Sequence, residues 1–258
     1  MSIATDLYIP GDTWLHRLDP RVKLWFSLLG MTVCVASRKI GVLVGVLLLA
    51  HAVLLLGGVS VRRLGQLWRG FALLIVIILI LQPLLVPGDG PALWTVGPVR
   101  LTESGLMTGL QYAIRVAAVA FAALVPILTT PINTLVRGLH KVGLPYTWGL
   151  TIGLTLRYLG ATVDLYNQIG EAQQARGWNL AQGGALKRAR AAIPTLVAVI
   201  IAMLRLSDSL ALALAARGFG ARQQRSYLHD IAFRPVDWVV WGAATLVFGG
   251  LFALSIAL

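Results

Sequence analysis

Five long apolar runs constrain this chain more than any other feature of its sequence. An α-helix needs about 20 apolar residues to cross the hydrocarbon core of a bilayer. The runs that approach this length are 22–36, 42–56, 71–86, 106–128 and 236–258. The first two are short, so they need their flanking residues or a locally thin bilayer to cross. We therefore predict an all-α, polytopic membrane protein with about five transmembrane helices.

The composition supports a lipid environment. Only 12% of the 258 residues are charged and 57% are hydrophobic, with a mean hydropathy of +0.79. A soluble domain carries about 25% charged residues, because its surface must face water. Lipid must therefore solvate much of this chain. The single cysteine, Cys34, lies within an apolar run and cannot form a disulfide framework.

Region 129–235 has a different character from the runs on either side of it. Its first residues, Thr-Thr-Pro at 129–131, predict a helix start, because a hydroxyl cap followed by proline is typical there. A short basic helix should follow. Two long helices are then predicted at about 145–175 and 187–216, each with an apolar and a polar stretch, and Pro194 should mark or kink the first turn of the second.

The chain therefore divides into three predicted parts. Residues 1–128 hold transmembrane helices 1 to 4, residues 129–235 form a region of long cytoplasmic helices, and residues 236–258 form the last transmembrane helix.

The charge distribution predicts an orientation. The net charge is +12, and cytoplasmic segments of membrane proteins collect Lys and Arg. Region 129–235 contains twelve basic and four acidic residues, whereas loop 87–104 is nearly neutral. We therefore expect the N-terminus and region 129–235 to be cytoplasmic and the C-terminus to lie outside. Arg38 and Lys39 break this rule, because they fall in an outer turn. The same rule explains the basic residues without nucleic acid as a partner.

One four-residue pattern closes both long helices. The two copies are Ala175-Arg176-Gly177-Trp178 and Ala216-Arg217-Gly218-Phe219. Glycine commonly follows a helix end and a cation suits the last turn, so a single copy could be a cap and nothing more. Two copies on consecutive helices favour a pair of docking tips. In each, arginine would offer a rigid fork to a carboxylate or carbonyl of a partner.

These features together resemble a known family, the transmembrane coupling (T) component of energy-coupling factor (ECF) type ABC transporters. The resemblance extends from about residue 13 to residue 258. The segments that carry it are His16-Arg17-Leu18-Asp19-Pro20-Arg21-Val22-Lys23-Leu24, Thr129-Thr130-Pro131, Arg157-Tyr158-Leu159 and the two Ala-Arg-Gly copies.

The resemblance implies a non-catalytic subunit of an ATP-driven importer for vitamins or metal ions. In the family, two coupling helices cross beneath the membrane, and the tip of each enters a groove on one of two ABC ATPases. The implied ATPase-docking residues are Ala175, Arg176, Gly177, Ala216, Arg217 and Gly218. A separate small membrane (S) subunit binds the substrate, and Gly149 and Gly153 are its expected contacts. The expected setting is the cell membrane, and no cofactor, metal site or catalytic residue is expected in this chain.

The absence of a P-loop sequence agrees with this role. No G-x-x-x-x-G-K-[ST] segment occurs, so any ATP hydrolysis must occur on other chains. The alternative is a permease subunit of a conventional ABC importer. Such a permease has a single cytoplasmic signature loop, and Glu171, Ala172 and Gly177 resemble the first residues of that signature. Gln173 breaks that pattern, and two tips in one chain suit one subunit that bridges two ATPases. A membrane enzyme is not favoured, because the four histidines are scattered.

Two features of the sequence, the spaced glycine pairs and Arg115, are compatible with more than one interpretation. Glycine pairs spaced by four at 41/45, 105/109 and 149/153 permit close helix contact, either within this subunit or against the S subunit. Arg115 lies inside an apolar run, where it could pair with Glu103 or face a polar interior. The transported compound would be selected by the S subunit, so this sequence does not specify it.

Overall fold

The computed structural model describes residues 11, 13–86, 92–96, 99–177, 184–220 and 233–257. Nine helices and one two-stranded hairpin lie within them, and the predicted all-α polytopic class is confirmed. In chain order the helices are α1 (Trp14–Arg17), α2 (Pro20–Ala36), α3 (Ile40–Leu56), α4 (Val61–Leu85), α5 (Glu103–Thr129), α6 (Ile132–Val142), α7 (Tyr146–Ala175), α8 (Ala185–Ala216) and α9 (Pro235–Ala257).

The helices form two separately packed units. The larger contains α1 to α6 together with α9, and the smaller contains α7 and α8. The short basic helix predicted after Pro131 is α6, which ends at Gly143 with a φ of 125°. Although α6 lies within region 129–235 of the sequence, it packs in the larger unit: a Cβ on Gly138 would lie 2.9 Å from the Pro20 ring.

Four helical segments are long and apolar enough to cross a membrane. Three of them, Val61–Leu85, Glu103–Thr129 and Pro235–Ile256, coincide with predicted spans. Helices α2 and α3 have 17 residues each. Such a helix is about 26 Å long, which is less than the roughly 30 Å of a hydrocarbon core.

The fourth segment, Ala192–Ala216, lies in α8, inside the region predicted to be cytoplasmic. Its apolar stretch is as long as a span. Length and composition alone therefore do not distinguish a membrane crossing from a helix whose apolar side is covered by another protein.

Helix α5 is the central element of the larger unit and contacts α2, α3 and α4. Its buried residues include a ladder with a spacing of four, and small side chains dominate the first part of it: Gly105, Gly109, Ala113, Ala117, Phe121 and Val125. Small residues let helices approach closely. At Gly109 a Cβ would lie 3.1 Å from the ring of Pro83 in α4, so this glycine serves packing within the chain.

His51 has a structural role in the same core. Its Nδ1 lies 2.9 Å from the carbonyl oxygen of Leu47, and the indole N–H of Trp68 donates to its Nε2 at 3.0 Å. Both nitrogens of the imidazole are therefore hydrogen-bonded. Phe121 covers the ring at a centroid distance of 4.2 Å.

The loop between α4 and α5 contains a feature that the sequence analysis did not predict. Strands β1 (Ala92–Val96) and β2 (Val99–Thr102) pair as an antiparallel hairpin. Helix α5 begins directly after β2, and the side chain of Thr102 accepts a hydrogen bond from the N–H of Gly105. The hairpin thus leads directly into the N-cap of the central helix.

A buried polar cluster joins the start of α2 to the end of α5. Lys23 is only 2% exposed, and its ammonium donates to the carbonyl oxygen of Thr129 at 3.1 Å and to the hydroxyl oxygen of Thr130 at 2.8 Å. The carbonyl end of a helix carries partial negative charge, which favours a cation there. Two segments that carried the family resemblance are therefore in direct contact.

Asp237, in the first turn of α9, completes this cluster. Its Oδ1 accepts from the N–H of Asp19 at 3.0 Å, and its Oδ2 accepts from the N–H of Arg234 at 2.8 Å. Asp19 in turn accepts from the N–H of Arg21 at 2.9 Å. The carboxylates of Asp19 and Asp237 both act electrostatically on Lys23. The cluster therefore ties together α2, α5 and α9.

We predict that Lys23→Met destabilises the larger unit by about 3 kcal/mol or more, because it removes the buried cation that acts on the Asp19 and Asp237 carboxylates and leaves Asp19 with only the Arg21 guanidinium, at 3.7 Å. Adding Asp237→Asn removes one of these charges, so the double variant should lose less than the sum of the single losses. Thermal unfolding of the purified protein in detergent, followed by tryptophan fluorescence, measures both effects. The matched control is Arg17→Met, at an exposed cation of the same segment. Equal losses for Lys23→Met and the control would contradict a structural role for the cluster.

Candidate functional site

The two Ala-Arg-Gly copies adopt the same backbone conformation. Arg176 and Arg217 are the C-cap residues of α7 and α8, with φ, ψ of −81°, 8° and −85°, 9°. The glycines that follow have φ of +84° at Gly177 and +73° at Gly218. A side chain is disfavoured in this left-handed region, which explains why glycine follows the arginine each time.

The backbone bonds of both caps are also alike. The N–H of Gly177 donates to Gln174 O and that of Gly218 donates to Ala215 O, each at 2.9 Å. At α8 the N–H of Phe219 also donates to Leu214 O at 2.9 Å, which completes a Schellman motif. Trp178, the corresponding aromatic after α7, lies outside the described residues.

These caps leave the arginine side chains available. The caps use only backbone groups, and all six residues of the two Ala-Arg-Gly copies are exposed. Within the described part of the chain, neither the Arg176 nor the Arg217 guanidinium makes a hydrogen bond or an ion pair. Each helix end thus presents a charged group with five donors whose position is set by a fixed turn.

One side-chain contact between α7 and α8 lies at equal distances from these ends. The hydroxyl of Thr162, which donates to Tyr158 O at 2.7 Å, lies 3.5 Å from the sulfur of Met203. Thr162 precedes Arg176 by fourteen residues, and Met203 precedes Arg217 by fourteen residues. Each tip is therefore about 21 Å from the contact along its helix.

The glycines predicted to contact another subunit lie far from the tips. Gly149 and Gly153 are in the first turns of α7, whereas Arg176 ends the same helix. Among the described residues, and apart from the neighbouring backbone of α7 itself, no atom lies within 4 Å of a Cβ placed on Gly153, in contrast to Gly109. The neighbouring Trp148 is 62% exposed. The structure thus separates the two sets of predicted site residues by most of the length of α7.

Asp237 is the residue of the buried polar cluster that the sequence analysis did not single out. Its only signal was a lone carboxylate in the first turn of an apolar helix. Its partners Asp19 and Lys23 lie more than 200 residues earlier, so no local pattern connects them. Among the described residues, no group of three His, Cys, Asp or Glu side chains could hold a metal ion.

Comparison with known proteins places the chain among transport proteins. The family model described as "CbiQ: Cobalt transport protein" matches residues 11–227. Several curated relatives carry the name "Energy-coupling factor transporter transmembrane protein EcfT". The protein from Leuconostoc gelidum subsp. gasicomitatum is 28% identical over 250 residues, covering 94% of this chain and 93% of the relative. The protein from Streptococcus thermophilus is 31% identical over 230 residues, covering 85% and 86%.

Proposed function

This chain belongs to the CbiQ family of cobalt transport proteins and is a T component of the ECF type. From that premise we propose that it couples two ABC ATPase subunits to a separate substrate-binding membrane subunit. In this proposal the chain is not an enzyme. It receives the motion of the ATPases at the two helix tips and passes it to the substrate-binding subunit, which takes up a vitamin or metal ion.

The observation that carries the proposal is the pair of matching tips. Arg176 and Arg217 stand at equivalent C-cap positions, exposed and without a partner in the described residues. Guanidinium groups bind carboxylates and carbonyl oxygens through two parallel hydrogen bonds, so each tip suits an acidic groove on a partner. Two equivalent tips suit two equivalent partners, which favours a pair of ATPases over the single contact of a conventional permease.

The α7–α8 contact suggests how motion would pass along the helices. The two segments between the contact and the tips contain no proline, because Pro194 lies on the other side of Met203. Each segment is therefore a stiff arm of about 21 Å. If the ATPases move the tips together, the arms would turn about the Thr162–Met203 contact and displace the opposite ends of the helices.

The opposite end of α7 suits a membrane partner. Gly153 faces open space and Trp148 is largely exposed, so the apolar start of this helix is not covered by the chain's own described residues. Glycine permits a partner helix to approach closely. We therefore assign Gly149 and Gly153 to the contact with the substrate-binding subunit. Substrate choice would lie with that subunit, and the name of the family makes cobalt one candidate among vitamins and metals.

The proposed setting is the cell membrane, with the N-terminus and region 129–235 in the cytoplasm. The first turn of α4 supports this orientation, because Arg62 and Arg63 are exposed there and no acidic residue accompanies them. Basic residues at that end of a span are typical of the cytoplasmic side.

We predict that the double variant Arg176→Glu/Arg217→Glu loses ATPase binding. Removing one side of a desolvated charge pair costs about 2–5 kcal/mol, and charge reversal adds repulsion. Copurification of the ATPases with the tagged chain measures binding. The matched control is Arg157→Glu/Arg205→Glu, which reverses two exposed arginines of α7 and α8 away from the tips. Normal copurification and transport in the tip variant would mean that the arginines only cap their helices.

A second expectation concerns Gly153. The variant Gly153→Leu should keep the thermal stability of the chain and the binding of the ATPases, because a Cβ at this position has open space among the described residues. It should weaken copurification of the substrate-binding subunit by obstructing close helix contact. Gly109→Leu is the matched control and should lower stability instead, since its side chain would clash with Pro83. If Gly153→Leu retained that subunit and full uptake, the assigned contact would be wrong.

The topology can be tested with single cysteines, because native Cys34 is fully buried. We choose Gln182, Gln223 and Gly90, which all lie outside the described residues. In intact cells a membrane-impermeant thiol reagent should label a cysteine at Gly90 and spare those at Gln182 and Gln223. Labelling at Gln223 but not at Gln182 would show that the apolar part of α8 crosses the membrane. Labelling at both without labelling at Gly90 would invert the orientation.

A further inference from the structure

Three basic residues adjoin the turn between α2 and α3, two of them in sequence and one through a hydrogen bond to the buried Ser37. Ser37, 1% exposed, is the C-cap of α2. Its carbonyl oxygen accepts from Nη2 of Arg115 at 2.7 Å, and its Oγ accepts from the N–H of Lys39 at 3.2 Å. Arg38 lies between Ser37 and Lys39 in the sequence and has an exposed side chain. Its carbonyl oxygen accepts a hydrogen bond from the side-chain amide of Gln111.

One contact explains why an arginine is found at position 115, inside an apolar helix. Its guanidinium lies at the carbonyl end of α2, where a cation is favoured, and covers the ring of Tyr112 at 5.1 Å. Glu103, considered above as a partner, precedes Arg115 by twelve residues of the same helix. That distance is about 18 Å, which is too far for an ion pair. Arg115 therefore joins α5 to the end of α2, and among the described residues it has no acidic partner.

Two other hydrogen-bond donors at this turn have no acceptor among the described residues. They are Nζ of Lys39 and Nε of Arg115, and both are buried. Lys39 is also the N-cap residue of α3, and its side chain makes no cap bond. A cation is disfavoured at that end of a helix, and a buried charge without a partner is costly. Lys39 and Arg38 also fall on the side of the membrane where basic residues are uncommon.

We propose that Arg38, Lys39 and Arg115 form a binding site for a phosphate-class anion. An anion there would accept from Nζ of Lys39 and Nε of Arg115 and would offset the like charges of three cations. The unbonded N–H groups of the first turn of α3 add favourable partial charge. The anion could be the phosphate of a phospholipid headgroup or free phosphate. The site belongs to α2, α3 and α5 and does not depend on the direction in which the chain crosses the membrane.

The test uses the complete transporter complex with its ATPases and substrate-binding subunit. One arm reconstitutes it in vesicles of phosphatidylcholine, with or without phosphatidylglycerol, and counts retained phosphatidylglycerol by native mass spectrometry after extraction. The other arm titrates inorganic phosphate against the phosphatidylcholine sample and follows the thermal unfolding midpoint. The variant is Lys39→Met, which keeps the length of the side chain without its charge. The matched control is Arg62→Gln, at an exposed arginine in the first turn of α4.

We expect Lys39→Met to bind the anion roughly tenfold more weakly, as loss of one charged hydrogen-bond donor implies, and Arg62→Gln to behave as the unmodified chain. A response to inorganic phosphate alone identifies a free anion, and a response to phosphatidylglycerol alone identifies a lipid headgroup. Equal responses of the Lys39→Met variant and the unmodified chain would overturn the proposal.

A second variant tests whether the counter-ion of Lys39 is a carboxylate of this chain. Asp89 lies outside the described residues and is the one carboxylate in the sequence of residues 87–91, before β1. If Asp89→Asn lowered the unfolding midpoint and Lys39→Met restored it in the double variant, the partner of Lys39 would be Asp89. That result would also overturn the proposal, whereas an unchanged midpoint for Asp89→Asn supports it.

Discussion

The hydrogen bonds of Lys23 determine how the larger unit closes. Its ammonium donates to the end of α5, and two carboxylates, one at the start of α2 and one at the start of α9, act on it electrostatically. Any one of these charges alone would be costly in a buried position, so each is tolerable only while the others are in place. The apolar contacts of the helices carry little directional information, because lipid solvates the same surfaces equally well. The polar cluster supplies the missing specificity, since it fixes which helix ends must meet.

Much of the helix content could be predicted from the sequence because its signals are local. Apolar runs gave α4, α5 and α9, and glycine with proline gave the end of α6. The β-hairpin was missed because its two strands are too short to show a period. The partnership of Asp237 with Asp19 and Lys23 was also missed, because it depends on which helices become neighbours.

The helix tips were predictable for a related reason. A glycine cap is determined by a few consecutive residues, so the pattern Ala-Arg-Gly leads to the same turn at both places, with φ of +84° and +73°. What the turn would recognise in the proposed complex depends on a surface of another protein, and no residue of this chain encodes it. The contact between Thr162 and Met203 is an intermediate case. Each residue lies on a helix that was predicted, but their contact depends on how α7 and α8 pack, which their sequences do not specify.

The two units differ in how far their apolar side chains are buried within the chain itself. The larger unit has a core of its own around α5, with Phe121, Leu128 and Ala118 fully buried. In its described part the smaller has two helices, of 30 and 32 residues. Large apolar side chains along α8 are exposed there, as Ile200 at 57% and Leu204 at 61% exposure show. Exposed apolar surface on this scale is usually covered by lipid or by another protein. Helices α7 and α8 therefore leave more apolar surface for their surroundings to cover than the helices packed around α5 do, and this surface is available to a partner in the proposed complex.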